Sequence, residues 1–267
     1  KNPNGLRGVD SFAPSSYDTP PLVDHHPGGW YECFPNGGEA GKIQEANVGF
    51  HGEVWGLKFE LNSVGESASG CSATMTALTV RTPFKLVKTF ALKKNDPTLY
   101  LEETATNLGA IDLRVHWGQH PMLGAPFLDE KCRIETSATG FFDAKDEPMI
   151  RLRWPERDGV DLSRVRGPES REGKMVFVTD FDTGKYRIVS PTWHLAFEMV
   201  WDAETFPYCW LYENAGQVGA PWFGRMYALA LEPFTGLPNA LSEGHGLLDI
   251  PAGKSETVRF DARIVAV

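Results

Sequence analysis

The stretch Met226-Tyr227-Ala228-Leu229-Ala230-Leu231-Glu232-Pro233 decides how the chain is read. It is a short apolar run of strand length, and strand alternation puts Glu232 on one face with Ala228 and Ala230. A carboxylate ending such a run is costly in a core unless it is paired, protonated or facing a polar cavity. The two alanines leave room for a ligand above that face. A structural pairing with an arginine such as Arg225 is the alternative.

Segments of the same kind recur along the chain. Ala77–Val80, Phe84–Leu92, Tyr100–Asn107, Met175–Thr179, Arg187–Ser190, His194–Trp201 and Thr257–Val267 all read as strands, and helical stripes are scarce. Turn-rich pieces separate them, such as Lys94-Asn95-Asp96-Pro97, Asn107-Leu108-Gly109 and Pro251-Ala252-Gly253-Lys254. The expected fold is all-β, a large antiparallel β-sandwich. Residues 1–50 are poor in strand pattern and read as a long rim loop, whose aromatic piece Gly28–Pro35 lines a site. Residues 145–174 read as a solvated insertion.

With 267 residues, 42% of them hydrophobic and 12% aromatic, the chain can bury one large core. The expectation is a single domain over residues 1–267, trimmed at its N-terminus because it begins at Lys1. Its 35 acidic against 26 basic residues give a formal charge of -9, and no basic run is long enough to follow a phosphate backbone. Nucleic acid is therefore not an expected partner, and neither is a membrane, since no apolar stretch approaches ~20 residues. Cys33, Cys71, Cys132 and Cys209 show no metal-type spacing and read as free thiols of a reducing compartment. With no leader pattern, the expected location is cytoplasmic. The oligomeric state, monomer or homodimer, is not written in the sequence.

Several familiar signatures fail. Gly253-Lys254-Ser255 resembles the end of a phosphate loop, but Leu248 stands where its leading glycine belongs, and Gly37–Lys42 fails likewise. There is no Gly-x-Ser-x-Gly elbow, no His-Glu-x-x-His and no dinucleotide fingerprint. ATPase, serine hydrolase and NAD-dependent readings lose their support.

Histidines and aromatic residues on short segments remain. His51 lies in Gly49-Phe50-His51-Gly52-Glu53-Val54-Trp55, where flanking glycines suggest a backbone held close to something. His116 and His120 lie in His116-Trp117-Gly118-Gln119-His120-Pro121, and Pro121 pushes His120 toward extended geometry. A surface-turn histidine at His51 and a satisfied buried one at His120 are the alternatives. His116, His120 and Glu232 also allow a cupin-like metal site. Trp30, Trp55, Trp117, Trp193, Trp210 and Trp222 suit a sugar pocket, where pyranose faces pack on indole, or simply a sandwich core.

In this order the motifs resemble the galactose mutarotase-like superfamily, the aldose 1-epimerases and their hexose-phosphate relatives. The segments that carry the resemblance are His51-Gly52-Glu53-Val54-Trp55, Thr104-Ala105-Thr106-Asn107-Leu108-Gly109, His120, Leu231-Glu232-Pro233 and Ile250-Pro251-Ala252-Gly253. The resemblance implies a supersandwich fold and interconversion of α and β anomers of a hexose or hexose derivative without a cofactor or metal. It implies Glu232 as base, His120 as acid and His51 as a further pocket member. Trp30, Trp55, Trp117, Glu213 and Arg7 are the remaining candidate substrate contacts, and Arg7, Arg81 and Arg225 are those for an anionic group.

The segments Pro121–Phe127 and Phe206–Asn214 depart from the best-known epimerases and resemble a divergent branch. No sugar-binding aspartate stands out among Asp180, Asp182 and Asp202. A carbohydrate-binding module that kept the sandwich without its chemistry is the alternative function.

Overall fold

The computed structural model describes Leu22 and residues 28–267. Two antiparallel sheets pack face to face. The seven-stranded sheet runs, in spatial order, Trp30–Cys33, Gly118–Gly124, Tyr227–Phe234, Tyr208–Ala215, Glu172–Thr179, Gly140–Asp143 and Leu152–Arg153. The eight-stranded sheet runs Arg133–Thr136, Lys185–Ser190, Leu195–Trp201, Ser255–Ala266, Thr98–Asn107, Phe84–Lys93, Gly70–Leu78 and Glu60–Ser67. The expected β-sandwich is the observed architecture. Among the described residues no helix is long and apolar enough to cross a membrane.

The strands expected from alternation are present, most of them longer than expected. Ala77–Val80 proves to be the end of Gly70–Leu78. Those that escape the pattern have physical reasons. Glu60–Ser67 is exposed along its whole length, so no face is selected to be apolar. Tyr208–Ala215 is enclosed on both faces, which removes the alternation. Residues 28–50 are not wholly loop: Trp30–Cys33 is an edge strand, and Gly41–Ile43 pairs with Ala46–Val48. The segment 145–174 is not wholly solvated either, since Trp154, Leu162 and Val165 join the core. Cys33, Cys132 and Cys209 are buried free thiols, whereas Cys71 is exposed.

Alternation within the seven-stranded sheet separates two environments. Leu211, Leu229 and Leu231 point into the core between the sheets, while Trp210, Phe234 and Phe177 form a second cluster on the outer face. Loops cover that outer face, and the site lies beneath them.

The core between the sheets also contains an ionic network. Lys88, from the eight-stranded sheet, lies 2.8 Å from Glu32 and 3.0 Å from Glu103. Gln119 donates to Glu103 (2.6 Å) and accepts from the Trp30 indole (2.8 Å). Burial and the nearby Glu103 charge push Glu32 up to about 8, against the opposing effect of Lys88. Buried carboxylates persist here because the lysine and the amide supply partners across the two sheets.

Candidate active site

Sheet register assembles the site in rows. Tyr31 pairs with His120, Glu232 with Trp210, and Trp210 with Phe177, so these side chains form one row on the outer face. One step along the strands, Met122 pairs with Ala230, Ala230 with Tyr212, and Tyr212 with Met175. The ladder between Gly118–Gly124 and Tyr227–Phe234 is formed at Ala228–Ala230 and again at Phe234, and lapses between them. Pro121 and Pro233 stand in that gap and have no N–H to contribute. His120 and Glu232 are therefore held where the backbone pairing opens.

His120 Nε2 lies 3.2 Å from Glu232 Oε1. The His120 ring is stacked on Tyr31, with centroids 4.4 Å apart and planes 19° apart, which fixes its orientation. His51 meets His120 edge-on at 5.6 Å. Its Nδ1 accepts the Gly38 backbone N–H at 3.1 Å, which places the proton of the neutral ring on Nε2.

His51 has φ +57°, and its own N–H donates to Gly38 O at 2.9 Å. Gly52, at φ +76°, allows this turn to press on the strand end: a Cβ there would collide with the Phe34 carbonyl. The close approach suggested by the glycines beside His51 is thus real.

Glu232 is 1% exposed, and burial raises its carboxyl well above the usual carboxylate range. Its Oε2 has no hydrogen-bond partner among the described residues. A buried acceptor of this kind is costly unless a proton or a ligand donor meets it. Ala228 and Ala230 share its face, as alternation requires. Arg225 is exposed and does not line the cavity, so it is not what accounts for the buried carboxylate.

These groups open into a cavity of about 400 Å³, within the range of small-molecule sites. Its polar end is formed by Glu39, His51, His120 and Glu232, and the rest is lined mainly by methionine and aromatic side chains. Of the six tryptophans considered, Trp210 and Trp222 line it.

The other proposed contacts, where described, lie away from the cavity. Trp30 packs toward the core between the sheets, and Trp117 is fully buried there against Phe34 and Phe206. Trp55 sits in the short turn Val54–Gly56 away from the cavity. Glu213 points to the core side, where it accepts the Arg166 N–H at 2.8 Å and lies 3.4 Å from Lys174. Arg7 falls outside the described residues. Arg81 is exposed and does not line the cavity, and neither do Asp180, Asp182 and Asp202.

The alternative metal constellation is not assembled. His116 is enclosed between the Gly37 and Gly236 carbonyls, each 3.2 Å from a ring nitrogen, and burial pushes its pKa down to about 4. Among the described residues no group of three or more His, Cys, Asp or Glu side chains is placed to hold a metal ion.

Gly28 and Tyr31, from the aromatic piece read as lining a site, do line the cavity, whereas sequence reasoning missed Met122, Met175, Tyr212 and Met226. Met122 lies two residues after His120, and Tyr212 two after Trp210, so each shares a face with a residue already considered. Register across four strands was needed to bring them together.

No protein-family model matches this chain, and no curated protein matches it in sequence. Its fold nevertheless has solved counterparts. A provisionally assigned aldose 1-epimerase from Klebsiella pneumoniae superposes with a TM-score of 0.73 over 94% of this chain and 66% of its own length, at 13% identity. One from Escherichia coli K12 gives 0.68 over 92% of this chain and 86% of its own, at 17% identity. A galactose mutarotase-like protein from Lactobacillus casei gives 0.63 over 88% and 85%, at 16% identity. The chain has the galactose mutarotase-like fold, in a divergent sequence.

Proposed function

We propose that the protein is an aldose 1-epimerase-type isomerase, interconverting the anomers of a sugar or sugar-like cyclic hemiacetal. The observation that carries this reading is the buried His120–Glu232 pair, 3.2 Å apart at the polar end of the cavity. Ring opening removes the proton from the anomeric hydroxyl and adds one to the ring oxygen. Both oxygens are bonded to the same carbon, so the base and the acid must be neighbours.

Glu232 takes the hydroxyl proton, the bond between the anomeric carbon and the ring oxygen breaks, and protonated His120 supplies the proton that oxygen needs. Rotation about the next carbon–carbon bond and the reverse transfers close the ring as the other anomer. The bond that breaks is re-formed and the sequence is redox-neutral, so no electron carrier is needed. Burial makes the Glu232 carboxylate a stronger base than an ordinary one, which suits its part in taking the hydroxyl proton. His51, with its Nε2–H, supports the ring-oxygen side.

The test is anomer exchange by NMR, or polarimetry of a freshly dissolved sugar, on wild type, Glu232→Gln and His120→Asn. Loss of about 10²–10⁴-fold in each variant is expected for a proton-transfer group. Undiminished acceleration in either variant overturns the assignment. Binding of sugar by the wild type without acceleration makes the protein a carbohydrate-binding module instead.

A further inference from the structure

The cavity is divided along the strand direction, and the division bears on what it holds. At the row of Glu232 it presents His51, Glu39, His120 and a carboxylate. At the next row the floor is Met122, Ala230, Tyr212 and Met175, and beyond it stand Met226 and Trp222. Among the described lining residues there is no lysine or arginine at either end, and no asparagine, glutamine or aspartate.

A free hexose has a hydroxyl on nearly every carbon. Each hydroxyl withdrawn from water must find a partner or lose about 1–3 kcal/mol. The methionine end offers the Tyr212 hydroxyl, which already accepts from Asn214 at 3.1 Å. Thioether and indole surfaces instead favour apolar or aromatic groups, and methionine adapts its shape to them.

We infer that the substrate carries an apolar, aryl- or alkyl-type substituent on the part of the ring remote from the anomeric carbon. That substituent lies among Met122, Met175, Met226 and Trp222 while the hemiacetal faces His120 and Glu232. This deepens the epimerase reading and rests on it for the placement of the reacting end.

The experiment compares D-glucose and D-galactose with their benzyl ethers at the primary hydroxyl, following anomer exchange by NMR and binding by tryptophan fluorescence. The expected result is a kcat/KM for the benzyl ethers at least tenfold above the parent sugars, about 1.4 kcal/mol. In Met175→Gln the ratio of substituted to parent sugar is expected to fall toward one. Equal or faster turnover of the parent sugars overturns the inference and leaves the epimerase reading standing. If no sugar is anomerised but the benzyl ethers bind at least tenfold more tightly, the epimerase reading fails and the apolar subsite stands. If the benzyl ethers bind no better than the parents, the subsite is refuted.

Discussion

Replacing Lys88 by methionine removes the cation that stands 2.8 Å from Glu32 and 3.0 Å from Glu103 between the two sheets. At an effective dielectric of about 20, an ion pair at the Lys88–Glu103 distance is worth roughly 5–6 kcal/mol of Coulomb attraction, much of it offset by desolvation, and Glu32 adds such an attraction only once it has lost its proton. Breaking a buried pair by removing one partner typically costs about 3–5 kcal/mol, because the remaining charge is stranded. Here the carboxyls can escape by binding protons, and that makes the loss depend on pH.

Glu32 titrates near 4.3 in an unfolded chain but holds its proton up to about 8 when folded. Across that interval the folded state binds more protons than the unfolded one, so wild-type stability falls as pH rises. Without Lys88, no cation stands between Glu32 and Glu103, and any charge on either is uncompensated. The penalty in Lys88→Met should then be about 1 kcal/mol at pH 5 and about 3–5 kcal/mol at pH 8. Thermal and urea unfolding at the two pH values measure it, each kcal/mol shifting Tm by roughly 2–4 °C.

Adding Glu32→Gln and Glu103→Gln to Lys88→Met should flatten the pH slope. A loss equal at both pH values, or below 1 kcal/mol at pH 8, would refute the account of how this network is held. The network also bears on catalysis, because Glu32 and Gln119 alternate along their strands with Tyr31 and His120.

Burial raises Glu232 above the ordinary carboxylate range, so its basic form gains population as pH rises through that elevated value. The expected kcat/KM profile climbs with an apparent midpoint above that of an ordinary glutamate; a midpoint at the ordinary glutamate value contradicts the burial argument. In Gly118→Ala, the new Cβ would fall inside the Phe234 ring, which is stacked on Trp210 at 3.8 Å. About 2–3 kcal/mol of stability should be lost, together with a change in tryptophan fluorescence, both read in one denaturation series. Glu213→Gln, altering a carboxylate that serves Arg166 and Lys174 outside the cavity, should cost about 2 kcal/mol of stability and leave KM unchanged. A rise in KM there would return Glu213 to the site.

Local pattern was enough for much of the fold. Segments such as Phe84–Lys93 and Tyr227–Phe234 have strand length and composition, and turn residues separate them, so the all-β sandwich follows from short-range chemistry. Glu232 was conspicuous because a carboxylate beside alanines in an apolar run contradicts a simple core. His51 was legible through Gly52, whose missing side chain admits the Phe34 carbonyl. The tryptophans were not separable by type: Trp30 and Trp117 lie on the core side, whereas Trp210 lines the cavity, and only strand parity and register tell them apart.

By itself, the sequence determined which segments extend, that one apolar strand ends in a carboxylate, and which histidines stood as its candidate partners. The resemblance pointed to His120, and the tertiary structure supplies the physical reason, because register sets His120 beside Glu232 while His116 is enclosed by the Gly37 and Gly236 carbonyls. Tertiary structure decided the apolar character of the cavity, whose lining comes from several strands and loops far apart in the chain. Alternation is local and can be read from one strand. Which residues of different strands share a row depends on pairing between distant segments, and no single segment encodes that.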